Sequence, residues 1–192
     1  FYGCNRLTSV SLPDTLYAIN SNAFYGCSHL TDIQIPEGTE SLSGSAFRNC
    51  NALRTLQFPA SLTNCENVSY LYACNGLENF VVDADNPSYA SVDGILYNKK
   101  KSSLLVVPSA WNQTVLTVPE TVTQIASEAM DNNQKVQKVI LPAGLTMIDS
   151  YSFYNLSFSE NDDLSGKCTI IIFYQLPWYK RSAHLCPSFL FQ

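Results

Sequence analysis

Seven cysteines are the side chains in this sequence with the most chemistry to offer, and their spacing decides which chemistry that is. Cys4, Cys27 and Cys50 follow one another at intervals of 23 residues, Cys74 comes one residue late, and Cys65, Cys168 and Cys186 complete the set. No two are separated by two residues, so a zinc site has no thiolate pair to start from. The two histidines, His29 and His184, lie far apart, and a nucleophile–His–carboxylate relay would have to use one of them. His29 occupies a slot that Arg6 and Ala52 fill elsewhere, which is the mark of a surface position. The expectation is therefore no catalytic residue, no metal site and no cofactor.

The regular spacing has its own consequence for the thiols. Neighbouring cysteines in a repeat column fall near the Cα separation of about 4.4–6.8 Å that a disulfide needs. Stacked side chains point in parallel, however, whereas a bridge needs them to converge. Small buried thiols filling a tight turn are the expected outcome. Cys65 takes the slot of Ile19 and Leu42 and reads as core, and Cys168 with Cys186 is the pair to test first for a bridge.

Asp83, Asp85, Asn86 and Asp93 gather oxygen ligands that would suit calcium, but they lack the D-x-[DN]-x-[DN]-G order of an EF-hand loop. A turn built from Asx residues and Pro87 is the expected reading, and Glu160, Asp162 and Asp163 read as a solvated loop. Lys99, Lys100 and Lys101 form the one basic run in a chain of net charge -5, too short to follow a phosphate backbone, so nucleic acid is excluded as an expected partner. Nothing approaches the roughly 18 consecutive apolar residues of a membrane span, and no membrane insertion is expected. Asn67, Asn112 and Asn155 open glycosylation sequons that would be idle in a bacterial protein.

The elements that must hold these residues are legible from the repeat. Phe1, Phe24 and Phe47 share the 23-residue step, as do Leu7, Leu30 and Leu53, and Pro13, Pro36 and Pro59. The extra residue before Cys74 implies an insertion between Pro59 and Cys74. The series breaks from about Asp83 to Ala110, returns at Val118-Pro119 and Leu141-Pro142, and stops after about Ser157. Each unit carries two short apolar runs. In the first, Val10 and Leu12 share one face while Ser9 and Ser11 take the other, and the following proline ends the strand. The second, Leu16/Ile19 leading to Ala23-Phe24, fits a turn or a second short strand. No stretch is long and periodic enough for a long helix. One such unit cannot bury its apolar face alone, so about six must stack into a solenoid with a continuous core.

The pattern from Ala23-Phe24-Tyr25-Gly26-Cys27 through Leu30, Ile33 and Ile35-Pro36 resembles the BspA-like leucine-rich repeat family. The segment Val82–Asn98 is similar to an insertion found in its bacterial members. The resemblance covers roughly residues 1–157 and implies a right-handed leucine-rich-repeat superhelix, mainly β with short turns or 3-10 segments. It also implies a non-catalytic, cell-surface or secreted protein-binding module acting in adhesion to host extracellular-matrix or cell-surface proteins or to other cells. The repeat has no catalytic residues to carry over. The division expected is residues 1–157 as repeats, with a hairpin insertion near 83–110, and 158–192 as an irregular C-terminal cap or tail. Within that last part, Lys167–Phe173 could add one more strand. Because the chain starts in mid-repeat, it is expected to be a piece of a longer protein, and a monomer.

Two surfaces stand out as expected binding elements. Outward positions of the first strand, namely Ser9, Ser11, Asp32, Gln34, Thr55, Gln57, Asn79, Val81, Val115, Thr117, Lys138 and Ile140, should make a contiguous face that varies over a fixed scaffold. Ser91–Asn98 and Ser103–Val107 read as two strands of a hairpin tipped by Lys99, Lys100 and Lys101. That tip is either a protruding contact element or an extension of the sheet whose lysines guard an exposed edge. The alternative function is a structural stalk that presents another domain.

Overall fold

In the computed structural model, which describes residues 1–154, Leu156 and the strand Thr169–Ile171, the chain winds as a β-solenoid of about six turns. Its strands are β1 (Ser9–Val10), β2 (Ala18–Ile19), β3 (Asp32–Ile33), β4 (Ser41–Ser43), β5 (Thr55–Phe58), β6 (Asn64–Glu66), β7 (Asn79–Val82), β8 (Tyr89–Val92), β9 (Ile95–Asn98), β10 (Ser103–Val106), β11 (Val115–Thr117), β12 (Gln124–Ile125), β13 (Lys138–Ile140), β14 (Met147–Ile148) and β15 (Thr169–Ile171). Two parallel columns run along the molecule. One holds the first run of each unit, with β1 on β3, β5 on β7 and β11 on β13 on β15; the other holds the second run, with β2 on β4 on β6 and β10 on β12 on β14. The second run is thus a short strand rather than a plain turn. Two 3-10 segments, Gly44–Phe47 and Val68–Ala73, are the only helices among the described residues.

The register follows the repeat residue by residue. Ser9 pairs with Asp32, Ala18 with Ser41 and Ser41 with Asn64, each 23 positions on. Thr55 pairs with Asn79, one position late. The additional residue falls after Glu66, which still pairs with Ser43, and is taken up in the longer 3-10 segment Val68–Ala73. Asn67 turns left-handed at its start, with φ +52°. Gly44 lies against this bend: a Cβ there would sit 2.0 Å from the Asn67 carbonyl oxygen, so only glycine lets the two coils approach.

Equivalent side chains lie over one another. Phe1 stacks on Phe24 with ring centroids 5.3 Å apart, and Phe24 on Phe47 at 5.5 Å, the planes within 5° of parallel. Those separations are close to the spacing of about 4.8 Å between strands, so the rings repeat because the backbone does. Leu30, Leu53 and Leu77 are fully buried beside them. Each thiol of the cysteine column also ties its coil to the one before: Cys27 Sγ donates to Phe1 O at 3.1 Å, Cys50 Sγ to Phe24 O at 3.1 Å and Cys74 Sγ to Phe47 O at 2.7 Å. All five cysteines among the described residues are free, and all except Cys4 are buried; Cys65 pairs with Leu42 in the second column. The parallel geometry that stacks them denies them a bridge. Cys168 and Cys186 lie outside the described residues.

The interruption differs from the expected hairpin in a way that changes its role. Ser91–Asn98 is not one strand: it folds back at Asp93-Gly94 into the antiparallel pair β8–β9, with both turn residues at positive φ, +51° and +80°. Asp-Gly is a strong signal for such a two-residue turn. β9 then pairs with β10, and β10 joins the second column beside β12. The result is a partition rather than a projecting arm. Leu96 and Val106 pack into the core that runs from Ile19 to Phe80, whereas Ile95, Tyr97 and Leu104 pack into the core that runs on to Leu156. A strand apolar on both faces, Ile95-Leu96-Tyr97, has to be covered on both. The lysine tip remains outside, exposed, with Lys99 Nζ donating to Ala84 O at 2.8 Å.

Thr169–Ile171 falls within the run expected to form one more strand and pairs in parallel with β13, Lys138 opposite Thr169. The first column therefore continues past residue 157. The cap expected over the rest of 158–192 lies outside the described residues.

Two outcomes test this packing. Gly44→Ala should lower stability by about 1–3 kcal/mol and reduce the melting temperature, while Gly144→Ala, where an added Cβ meets nothing within 4 Å, should leave it unchanged. Burial pushes the Cys50 and Cys65 thiols up from about 9 to about 12, helped by nearby Cys27 and Glu66 respectively, and burial also raises Cys27 and Cys74. The unfolded chain releases these protons first, so this stability is complete below pH 9 and is lost as pH rises from about 9 towards 12. Native alkylation read by peptide mapping should label Cys4 and spare Cys27, Cys50, Cys65 and Cys74 until denaturant is added; equal labelling would place those thiols in solvent.

Candidate functional site

The alternation that buries Ile33, Leu56, Phe80, Leu116 and Val139, and half-buries Val10, turns their neighbours outward. Of the expected face, Ser9, Ser11, Asp32, Gln34, Gln57, Asn79, Val81, Val115 and Thr117 are exposed, and Thr55, Lys138 and Ile140 are half-buried. Pairing aligns Ser9 with Asp32, Thr55 with Asn79, Gln57 with Val81, Val115 with Lys138 and Thr117 with Ile140. Polar side chains dominate. Asp32 and Lys138 are the charged side chains on the face itself. Beside it Arg54 and Glu78 pair loosely at 3.7 Å with both half-exposed, an ion pair worth at most about 1 kcal/mol. The face is suited to contact over many small, neutral groups.

It is not contiguous along the whole column. The ladder that includes β7 ends there, and a new one starts at β11. The β8–β9 turn stands against β7, with Phe80 N donating to Gly94 O at 2.8 Å and Val82 N to Ser91 Oγ at 3.2 Å. Between that turn and β11 lies a cavity of about 480 Å³, within the range of small-ligand sites. Its lining includes Glu78 and Asn79 from the start of β7, Asp93 from the β8–β9 turn, Tyr97, Trp111, and Val115 and Thr117 of β11. The Trp111 indole N–H donates to Asp93 O at 2.8 Å, which fixes both the ring and the turn. Burial, then the carboxylate of Asp93, raises the Tyr97 phenol above its ordinary range, so it stays a neutral donor. The cavity escaped the sequence reading; a lone tryptophan just after the interruption was the signal.

The remaining candidates are not brought together. His29 is exposed and its Nδ1 meets Asn5 O, while His184, Glu160, Asp162 and Asp163 lie outside the described residues. Among the described residues no three His, Cys, Asp or Glu side chains converge. The acidic loop is built as a turn. Asp83 Oδ1 accepts from Asp85 N, and the buried Asn86 amide uses both ends: Nδ2 donates to Pro59 O and Leu62 O, Oδ1 accepts from Ser88 N and Tyr89 N. Asn133 repeats the arrangement, donating to Pro108 O and Trp111 O and accepting from Lys135 N and Val136 N. These asparagines staple a turn to the preceding coil, which satisfies backbone groups that would otherwise be buried unpaired. Asp93 sits apart from them in the cavity floor. Among the described residues no helix is long and apolar enough to cross a membrane.

Comparison with known proteins places this geometry. The BspA type leucine rich repeat region matches residues 1–93 and 109–176 in six copies. Among solved structures, the pneumococcal vaccine antigen PcpA is similar over 77% of this chain and 37% of its own, at 29% identity and a TM-score of 0.70. A leucine-rich repeat protein from Eubacterium ventriosum is similar over 81% of this chain and 47% of its own, at 22% identity and a TM-score of 0.68. A leucine rich cell surface protein from Faecalibacterium prausnitzii is similar over 77% and 52%, at 23% identity and a TM-score of 0.52; these last two speak to the fold alone. The chain thus spans 37% to 52% of the length of these structures. A search of curated proteins found no match.

Proposed function

The chain belongs to the BspA-type leucine-rich repeat family, and on that premise we propose that it is a non-catalytic protein-binding module, displayed on or secreted from a bacterial cell, that acts in adhesion to host matrix proteins or to other cells. The observation that carries this reading is the contrast within each strand of the first column. Inward positions repeat as Ile33, Leu56 and Phe80, while outward ones change from Ser9 to Asp32 and from Thr55 to Asn79 in direct register. A surface free to change over a scaffold that is not is how solenoids recognise partners. One of the similar structures points the same way, being a vaccine antigen. In this reading residues 1–157 are the display array. Ser9, Ser11, Asp32, Gln34, Thr55, Gln57, Asn79, Thr117 and Lys138 are its contact positions, and Lys99, Lys100 and Lys101 are a secondary contact turn.

The test uses immobilised fibronectin and other matrix proteins. The chain should bind at least one, and Gln34→Arg with Gln57→Trp should weaken that binding about fivefold or more while the melting temperature stays unchanged. Binding untouched by both substitutions would move the contact to the lysine turn. No binding to any matrix protein or cell surface would favour a stalk that presents another domain.

A further inference from the structure

The cavity between β7 and β11 holds a strand edge that pairs with no strand among the described residues. In the parallel pair β11–β13 alternate residues serve the partner: Lys138 N donates to Thr114 O and Val118 N to Ile140 O, with Leu116 between them opposite Val139. The N–H and C=O groups of Val115 and Thr117 therefore face the other way, on the edge that lines the cavity. Among the described residues β13 is the sole ladder partner of β11, and both Val115 and Thr117 are exposed. β7 is different, because its facing edge is already occupied by Gly94 and Ser91 of the β8–β9 turn. The step from β3 to β5 also lacks a ladder, but there both strands share one core, whereas β7 and β11 belong to the two cores that the partition separates.

Edges of this kind are usually charged, covered or twisted away. This one is instead recessed, and its surroundings are selective. The lining of the cavity includes Glu78 and Asp93 with Asn79, Asn112 and Gln113 and no cationic residue. Arg54 beside it pairs only loosely with Glu78, at 3.7 Å with both half-exposed, a contact that an incoming cation can replace at little cost. An extended backbone supplies what Val115 and Thr117 lack, a matching row of donors and acceptors at two-residue spacing. A lysine or arginine on it would find the two carboxylates.

We propose that this cleft takes up an extended, basic polypeptide segment as an added strand along the Val115–Thr117 edge of β11, with a cationic side chain of the segment directed to Glu78 and Asp93. The site shares Asn79, Val115 and Thr117 with the outward face but uses the backbone edge of β11, and it does not depend on the Gln34 and Gln57 part of that face having a partner.

The probe is a capped pentapeptide of alternating valine and lysine, titrated into the whole chain while backbone amide resonances are followed. Shifts should concentrate at Gly94 and Asn112–Thr117 at peptide concentrations up to about 1 mM. The same peptide N-methylated on alternate backbone nitrogens should bind about tenfold more weakly or not at all, because its backbone can no longer form the ladder. The double variant Glu78→Gln and Asp93→Asn, which keeps an Asx residue at the left-handed turn position, should weaken the lysine peptide about fivefold or more and leave a glutamine-for-lysine peptide unaffected. Its melting temperature, measured in parallel, checks that the turn is intact, and substitutions at Gln34 and Gln57 should not alter peptide binding. The proposal is overturned if the N-methylated peptide binds equally well, or if no shift appears at these amides. A neutral oligosaccharide that shifts them where the peptide does not would overturn it as well.

Discussion

Everything in this molecule depends on one coil's backbone being hydrogen-bonded by the coil one repeat along. Thr31 N reaches Thr8 O, Gly26 N reaches Arg48 O and Thr146 N reaches Thr123 O, each over about one repeat length. That bonding sets the rise from coil to coil at the strand spacing. Once the rise is set, a residue type repeated every 23 positions becomes a column of touching side chains. The phenylalanine stack, the leucine column and the thiols donating to the preceding coil are all results of this one geometry. A single coil has no interior, and stability accrues only through neighbours.

The interruption shows how the same constraint handles a break in period. A segment without the repeat cannot continue both columns, so it joins only the second, through β10 beside β12. Its other strand, β9, becomes a wall with one core on each side. The buried asparagines Asn86 and Asn133 sit on either side of that wall and perform the same task, each closing a turn onto the carbonyls of the preceding coil. The first column has no strand to bridge the gap, and the cavity above Trp111 is what that omission leaves. A feature required by packing thus creates concave, polar surface on a molecule whose outer face is otherwise shallow.

This division of labour suits a binding module. Interior positions are held by contact on all sides, so change there costs stability. The outward positions touch mainly solvent and can differ from coil to coil at little cost. Few charges lie on the face, and Arg54 pairs only loosely with Glu78 beside it, so neutral hydrogen-bonding groups make up most of what the face presents to solvent.

The 23-residue step of Phe, Cys, Leu and Pro was sufficient to establish the solenoid, its two runs per coil, the buried thiols and the extra residue before Cys74, because each is a statement about what repeats along the chain. The alternation of Ser9 with Val10, or Gln57 with Leu56, likewise settled which side chains face solvent. What repeats cannot encode is how a non-repeating segment meets its neighbours. The turn at Asp93-Gly94 is written locally in those two residues, but the burial of Ile95–Tyr97 on two faces and the unpaired edge of β11 depend on contacts between residues far apart in sequence and without a shared period. Those were decided by tertiary packing, since only the assembled coils determine which strand edges find a partner and which are left without one.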